Sequence, residues 1–404
     1  MPSGNHCNPL AMRLLTFFLV FLLAAVLVVG SIFWINRDTF LTVFQNRPAL
    51  LEGSEWVEKT YSLGGLVEFM AEQPQHAALL SVPYLHGAAT DEAAERDHAI
   101  RYRSDLMHPA GTLANLMLVI TYADLVTSGV MKPDTPVDTD AITSFHIPGL
   151  DRRHQQTFRR WKADLPAPPV VDDLIRYLLS HNDPAAADYL FFFLGAREVT
   201  GRTEKLGSGL IEPPVPQYGL RMAALQHPAG ESLSGQLASL ASQDRSVFLE
   251  DAVAIAQQQW EHRRDVTEAS IPSFQDQRML HGLYPRIQPD RFAALLAAIW
   301  LGTLVSEEAS EMLRQLLVRD PDDRLLRPHV NWYASQFDER MSYLNGWSAA
   351  GKTKSPGFRV QVILAVDIPA GLWFHMNSNF MIRDFHNRMF YDPAIRTRTH
   401  YLLM

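Results

Sequence analysis

The sequence predicts an α+β fold. One antiparallel sheet is formed by N- and C-terminal segments, a large helical lobe is inserted between them, and a transmembrane helix precedes both. Three observations predict it. Strand-like stretches at 76–87 and 98–104 are answered by another at 358–368. The residues between are dominated by helical spacing. Leu14–Ile35 runs for 22 residues without a charge.

The bulk numbers bound the function. At about 150 residues per domain, 404 residues allow two to three lobes. A hydrophobic share of 47% with 20% charged residues describes a chain that packs. The net charge of −8 argues against nucleic-acid binding by bulk charge. The single cysteine, Cys7, excludes an internal disulfide framework and a cysteine-rich zinc site. A body without cysteine suits an oxidising exterior such as a periplasm.

The elements follow in chain order. Residues 1–13 form a short tail. As a helix, 14–35 is about 33 Å long, enough for a hydrocarbon core of about 30 Å. A cleaved signal peptide is the rival reading, but its apolar run is usually about 7–15 residues, and Trp34 suits an interfacial anchor. Residues 36–75 read as a juxtamembrane segment with a short helix near Leu66. The domain proper spans 76–391, with sheet segments 76–110 and 350–391 around a helical lobe at 111–349. HAALLSVPYLHG and HAIRYRS read as paired strands. TLANLMLVITYADLVTSG is apolar nearly all round and belongs at the centre of a domain. VVDDLIRYLLS, LSGQLASLA, FLEDAVAIAQQQW and PDRFAALLAAIW keep helical spacing, and Pro-rich breaks at 164–169 and 213–216 separate them. FRVQVILAVDI reads as a central strand, AGLWFHM as its partner, SNFMIRDFHNRMF as a helix, and 392–404 as a tail.

This layout resembles the serine β-lactamase and penicillin-binding transpeptidase family. VVDDLIRYLLSHNDPAAADYLFFFLG resembles its helix, S-D-N loop and next helix, with Ser180 and Asn182 outermost and His181 in the middle. AGKTKSPGFRVQVILAVDI resembles its K-T-G strand, through Lys352 and Thr353, with Lys354 in place of glycine. YRSDLMHPAGTLANLMLVI resembles the approach to its nucleophile helix. Alignment on Pro109 puts Thr112 at the serine position and Asn115 at the lysine position; a shift by one gives Gly111 and Ala114. The family's chemistry needs a serine and, one helical turn later, a lysine that removes its proton. Neither register supplies that base. The resemblance implies a degenerate catalytic set of Thr112, Asn115 and Ser180, with Asn182, Lys352 and Thr353 contacting substrate. Glu212 is the nearest carboxylate for a deacylating role.

The expected protein is a single-pass bacterial inner-membrane protein with a periplasmic, catalytically deficient domain. Its expected partners are the membrane, through the N-terminal helix, and a peptidoglycan peptide or an envelope protein. A divergent serine-type hydrolase, a D,D-peptidase or β-lactamase-like enzyme, is the alternative. Each residue also has a plainer role: Ser180 and Thr112 as helix-end residues, Asn182 as a turn residue, Asn115 as a satisfied buried group. No histidine spacing marks a metal site, and no cofactor is implied. Gly346–Thr353 fits G-x-x-x-x-G-K-[ST], but the flanking sequence lacks the strand–loop–helix context that a phosphate loop needs.

Overall fold

A computed structural model describes residues 17–23, 47–84, 99–150, 154–225, 245–267, 274–317, 330–336, 344–352, 358–379 and 381–404. Its main sheet has five strands: β1 (Ala77–Tyr84), β2 (Ile100–Tyr102), β5 (Val330–Gln336), β6 (Leu344–Lys352) and β7 (Phe358–Val366). Their order is β2-β1-β7-β6-β5, antiparallel throughout. A second, two-stranded sheet pairs β3 (His108–Pro109) with β4 (Arg286–Ile287). The early and late strands therefore meet in one layer, as the sequence predicts.

The two central strands are apolar on both faces because both faces are covered. On β1, Ala78, Leu80 and Val82 join the core of the helical lobe, while Ala77 and Leu79 join a second core behind the sheet. On β7, Val360, Val362 and Leu364 face the lobe, and Ile363 and Ala365 face the rear. Two-residue alternation fixes this register, since a slip by one would exchange the two sets. Pro83 lies beyond Leu79–Ser81, the residues of β1 that pair with β2 among the described residues, so its missing N–H breaks no ladder bond on that side.

The lobe holds α2 (Leu116–Thr127), α3 (Thr139–Ser144), α4 (His154–Asp164), α5 (Val171–His181), α6 (Pro184–Phe193), α7 (Ala196–Gly207), α8 (Gln217–Leu225), α9 (Arg245–His262), α10 (Phe274–Gly282), α11 (Pro289–Leu301) and α12 (Glu307–Leu317). Of these, α2 is buried on nearly every side and forms the centre. The rear carries α1 (Leu63–Glu72), α13 (Ala370–Ser378), α14 (Met381–Tyr391) and α15 (Pro393–Leu403).

Several expectations are corrected. Residues 330–336 and 344–349 lie in a stretch read as mostly helical, yet they are strands β5 and β6. Gly, Ala, Ser and Asn dominate β6 and give little strand signal. Residues 346–352 of the phosphate-loop pattern fall along β6 itself, in extended chain. AGLWFHM is helix α13 and not a strand. Leu372, Trp373 and Met376 meet the rear core at helical spacing, and the Trp373 amide donates to the Pro369 carbonyl at 2.8 Å. The tail at 392–404 is helix α15, capped by Asp392, with Pro393 in its first turn and Arg396 and Thr399 buried. Residues 47–72 also belong to the folded body, since Trp56, Leu66, Val67, Phe69 and Met70 share the rear core with Ile363 and Phe385.

Of the apolar run at 14–35, Phe17–Leu23 is helical and exposed. The rest of that run, and LSGQLASLA, lie outside the described residues. Among the described residues no helix is long and apolar enough to cross a membrane.

Candidate functional site

Three segments carry the residues singled out by the sequence and their neighbours. A one-turn 3-10 segment, Gly111–Asn115, leads into α2 and packs on β4, β5 and β6. Gly111 opens it at φ 58°, where a side chain is strained. The Ala110 amide donates to the Pro285 carbonyl at 2.9 Å, which ties the turn to the β3–β4 pair. Thr112 lies within the turn; its side chain is outside the described residues. Asn115 ends the turn at 6% exposure, and among the described residues its Nδ2 has no hydrogen-bond partner.

The second segment joins α5 to α6. Ser180 sits in the last turn of α5 and is exposed. Asn182 closes that helix in the left-handed region, φ 49° and ψ 39°, with its amide donating to the Leu178 carbonyl at 2.8 Å. Asp183 then starts α6. Its Oδ1 accepts from the Ala186 amide at 3.1 Å, and its Oδ2 accepts from the Tyr177 hydroxyl at 2.7 Å and from His154 Nδ1 at 2.7 Å. The His154 and Asp183 side chains are 2% and 3% exposed. Burial alone would push the Asp183 carboxyl up, but the His154, Tyr177 and Ala186 donors outweigh it and hold the group below the usual carboxylate range. Burial, reinforced by the Asp183 charge, pushes the Tyr177 phenol up. Asp183 was findable from sequence as an Asp-Pro pair at a helix start. His154, 29 residues away, was not.

The third segment is the strap into α8. Ile211 bridges to Ile287, and the Glu212 amide donates to the Arg286 carbonyl at 2.9 Å. Asp188 on α6 then takes the Gln217 amide at 2.8 Å and the Tyr218 amide at 2.7 Å. Gln217 is 5% exposed, and among the described residues its Oε1 has no hydrogen-bond partner. The Glu212 carboxylate is engaged with Arg245 through a double contact at 2.9 and 2.6 Å, and with the Arg286 amide at 2.8 Å. Those bonds make it a structural clamp.

Lys352 ends β6 opposite Phe358. Among the described residues β6 lies between β5 and β7, and β5 is the edge strand on that side. Thr353 lies outside the described residues. Among the described residues no group of three His, Cys, Asp or Glu side chains is arranged to hold a metal ion.

A sequence model of the beta-lactamase enzyme family matches residues 89–355, well over half the chain. The chain belongs to the beta-lactamase enzyme family. That span holds the Gly111–Asn115 turn, the α5–α6 junction, the strap into α8 and Lys352. Among solved structures, the chain is similar to a beta-lactamase from Sphaerobacter thermophilus, at 13% identity and TM-score 0.48, over 83% of this chain and 96% of that one. A beta-lactamase from Chitinophaga pinensis is similar at 11% identity and TM-score 0.44, over 79% and 98%. The TLA-3 extended-spectrum beta-lactamase is similar at 11% identity and TM-score 0.48, over 85% and 100%. None of the curated proteins matches. The assignment rests on the sequence match and not on these superpositions. In this beta-lactamase family member, Asn115 stands one turn after Thr112. A carboxamide can donate and accept hydrogen bonds, but it does not take up a proton at neutral pH.

Proposed function

We propose that this beta-lactamase family member is catalytically deficient and uses its cleft to bind a cell-wall peptide or an envelope partner without forming a covalent bond. The observation that carries the reading is Asn115. It stands one helical turn after the only hydroxyl in the Gly111–Asn115 turn, where a serine-type mechanism needs a base. A lone threonine hydroxyl is a poor nucleophile at neutral pH, and loss of one member of a nucleophile–base unit costs several orders of magnitude in rate. Glu212 does not replace the base, because Arg245 and the Arg286 amide occupy its oxygens.

The reading includes a single-pass anchor with the domain outside the inner membrane. The uncharged 22-residue run at 14–35 supports it, as does the exposed apolar helix Phe17–Leu23.

The test is labelling of the purified protein with a fluorescent penicillin, beside Thr112→Ala and Ser180→Ala. No stoichiometric adduct is expected with any of the three. A one-to-one adduct that disappears in Thr112→Ala would overturn the reading and make the protein a divergent hydrolase. For the anchor, the full chain should sediment with membranes and withstand a carbonate wash; release by carbonate would sink that part.

A further inference from the structure

The rear layer carries a line of apolar side chains that the body leaves open. Leu51, Tyr61, Tyr401 and Met404 are exposed, and Tyr401, at 85%, is the most exposed large apolar side chain among the described residues. Single exposed apolar residues are ordinary on a protein surface. These four are linked by contacts. Gly371 and His375 stand one turn apart on α13. The Leu50 carbonyl packs where a side chain of Gly371 would begin, and the Tyr61 ring meets the His375 ring at 4.3 Å. Three residues after Tyr61, Gly64 of α1 leaves room for the Arg398 guanidinium of α15. Ala394, Thr397, Arg398 and Tyr401 share the exposed face of α15, and Met404 follows the helix.

The chain enters the body on this same side. The short helix Arg47–Leu51 packs on α13, and its Ala49 and Leu50 join the rear core. Glu52 is held by Arg278 of α10 at 2.6 Å, and Gly53, at φ 77°, lets Pro369 pack where a side chain would begin. The entry point is therefore fixed. Eleven residues, 36–46, separate it from the end of the apolar run at Ile35. Even fully extended they would reach only about 40 Å, and a body of this size is about 50 Å across. A tether of that length cannot pass round the sheet to present the lobe to a bilayer. It keeps the rear layer toward it.

We propose that this rear face, centred on Tyr61 and Tyr401, rests in the interfacial layer of the membrane that carries the N-terminal anchor. Tyrosine suits that layer, because its ring is apolar and its hydroxyl stays with the headgroups. A few such side chains bind a bilayer only weakly by themselves. The tether makes the contact intramolecular and raises the local concentration to the millimolar range. Charge contributes little, since Glu55, Glu58, Glu68 and Glu72 are exposed on this layer together with Arg47, Lys59 and Arg398. The occupant is therefore zwitterionic lipid, and salt should not displace the face. The inference goes beyond the ligand-binding reading above and rests on its anchor.

The test uses the full-length protein inserted in phosphatidylcholine vesicles that contain headgroup-spin-labelled lipid. Cys7→Ser removes the single native thiol. Thr397→Cys then carries an environment-sensitive fluorophore on the exposed face of α15, and Val130→Cys carries the same fluorophore on the lobe. At 397 the emission should shift to the blue and be quenched by the spin-labelled lipid, equally in low and high salt; at 130 neither effect is expected. Tyr61→Ser/Tyr401→Ser should lose most of the quenching at 397 with little change in melting temperature, since both side chains are exposed. Inserted protein whose label at 397 stays in water, equal quenching at both positions, or quenching that survives the double Ser change would overturn the proposal. So would a blue shift without lipid quenching, which marks a protein neighbour such as a second copy. Protein that fails to float with the vesicles would sink the anchor and this inference with it, so the two failures are distinguishable.

Discussion

Asp183 shows how one carboxylate can set a local geometry. It begins α6, receives a phenol and an imidazole on one oxygen, and lies beside Asn182 in the left-handed region. His154→Phe would leave the carboxylate buried with fewer donors, at a cost of about 3 kcal/mol in urea unfolding. The double variant His154→Phe/Asp183→Asn should recover part of that loss, because the uncompensated charge is gone. Strict additivity of the two single losses would argue against the coupling. The pH dependence has a definite sign. The folded-state pKa is depressed, so the stability from this group is present above the unfolded value of about 4 and disappears as pH falls through the folded one. In His154→Phe the folded value rises toward the unfolded one, so less stability should be lost as pH falls through that window. The sequence displayed the Asp-Pro helix start and the neighbouring Asn182. It did not display His154, because nothing local links α4 to a residue 29 positions on.

Elements with a full apolar stripe were readable; elements whose partners lie elsewhere were not. The periodicity of α2, α5 and α11 announces buried helices, and β1 and β7 announce themselves by continuous apolar runs. In contrast, β6 is written in small residues and is a strand because β5 and β7 flank it. AGLWFHM is short enough to pass for a strand until its contacts are known. Close helix packing makes a sharper prediction. Gly219 on α8 faces the Ala252 carbonyl of α9, and a methyl group there would collide with that backbone oxygen. Gly219→Ala should therefore separate α8 from α9 and cost about 1–3 kcal/mol in thermal or urea unfolding, despite alanine's better helix propensity. A neutral or stabilising result would mean that the two helices are not in this contact.

At the scale of the whole molecule, the sheet divides two cores, and some buried groups respond to pH together. Burial pushes His281 in the lobe and His386 behind the sheet down to about 3, with Arg221 adding to the effect at His281. Their unfolded values lie near 6.5, so the unfolded chain binds more protons between those limits. Their contribution to stability is complete above about pH 6.5 and is lost as pH falls toward 3. The slope is up to about 1.4 kcal/mol per pH unit for each histidine. His386 Nδ1 accepts from Gln361 Nε2 at 2.9 Å. His386→Asn retains an acceptor and should flatten the slope of urea-derived stability between pH 6 and 4; an unchanged slope would refute the assignment. The α+β class and the joining of early with late strands were visible in the sequence. The rear layer was underestimated, because segments 47–72 and 392–404 gain meaning only where they meet the sheet.

That rear layer sets an orientation for anything attached to the protein. Helices α1 and α15 pack on each other behind the sheet, while Asn115 belongs to the turn that leads into the lobe in front. A reporter appended after Met404 therefore starts behind the sheet, beside α1 and on the side opposite the helical lobe.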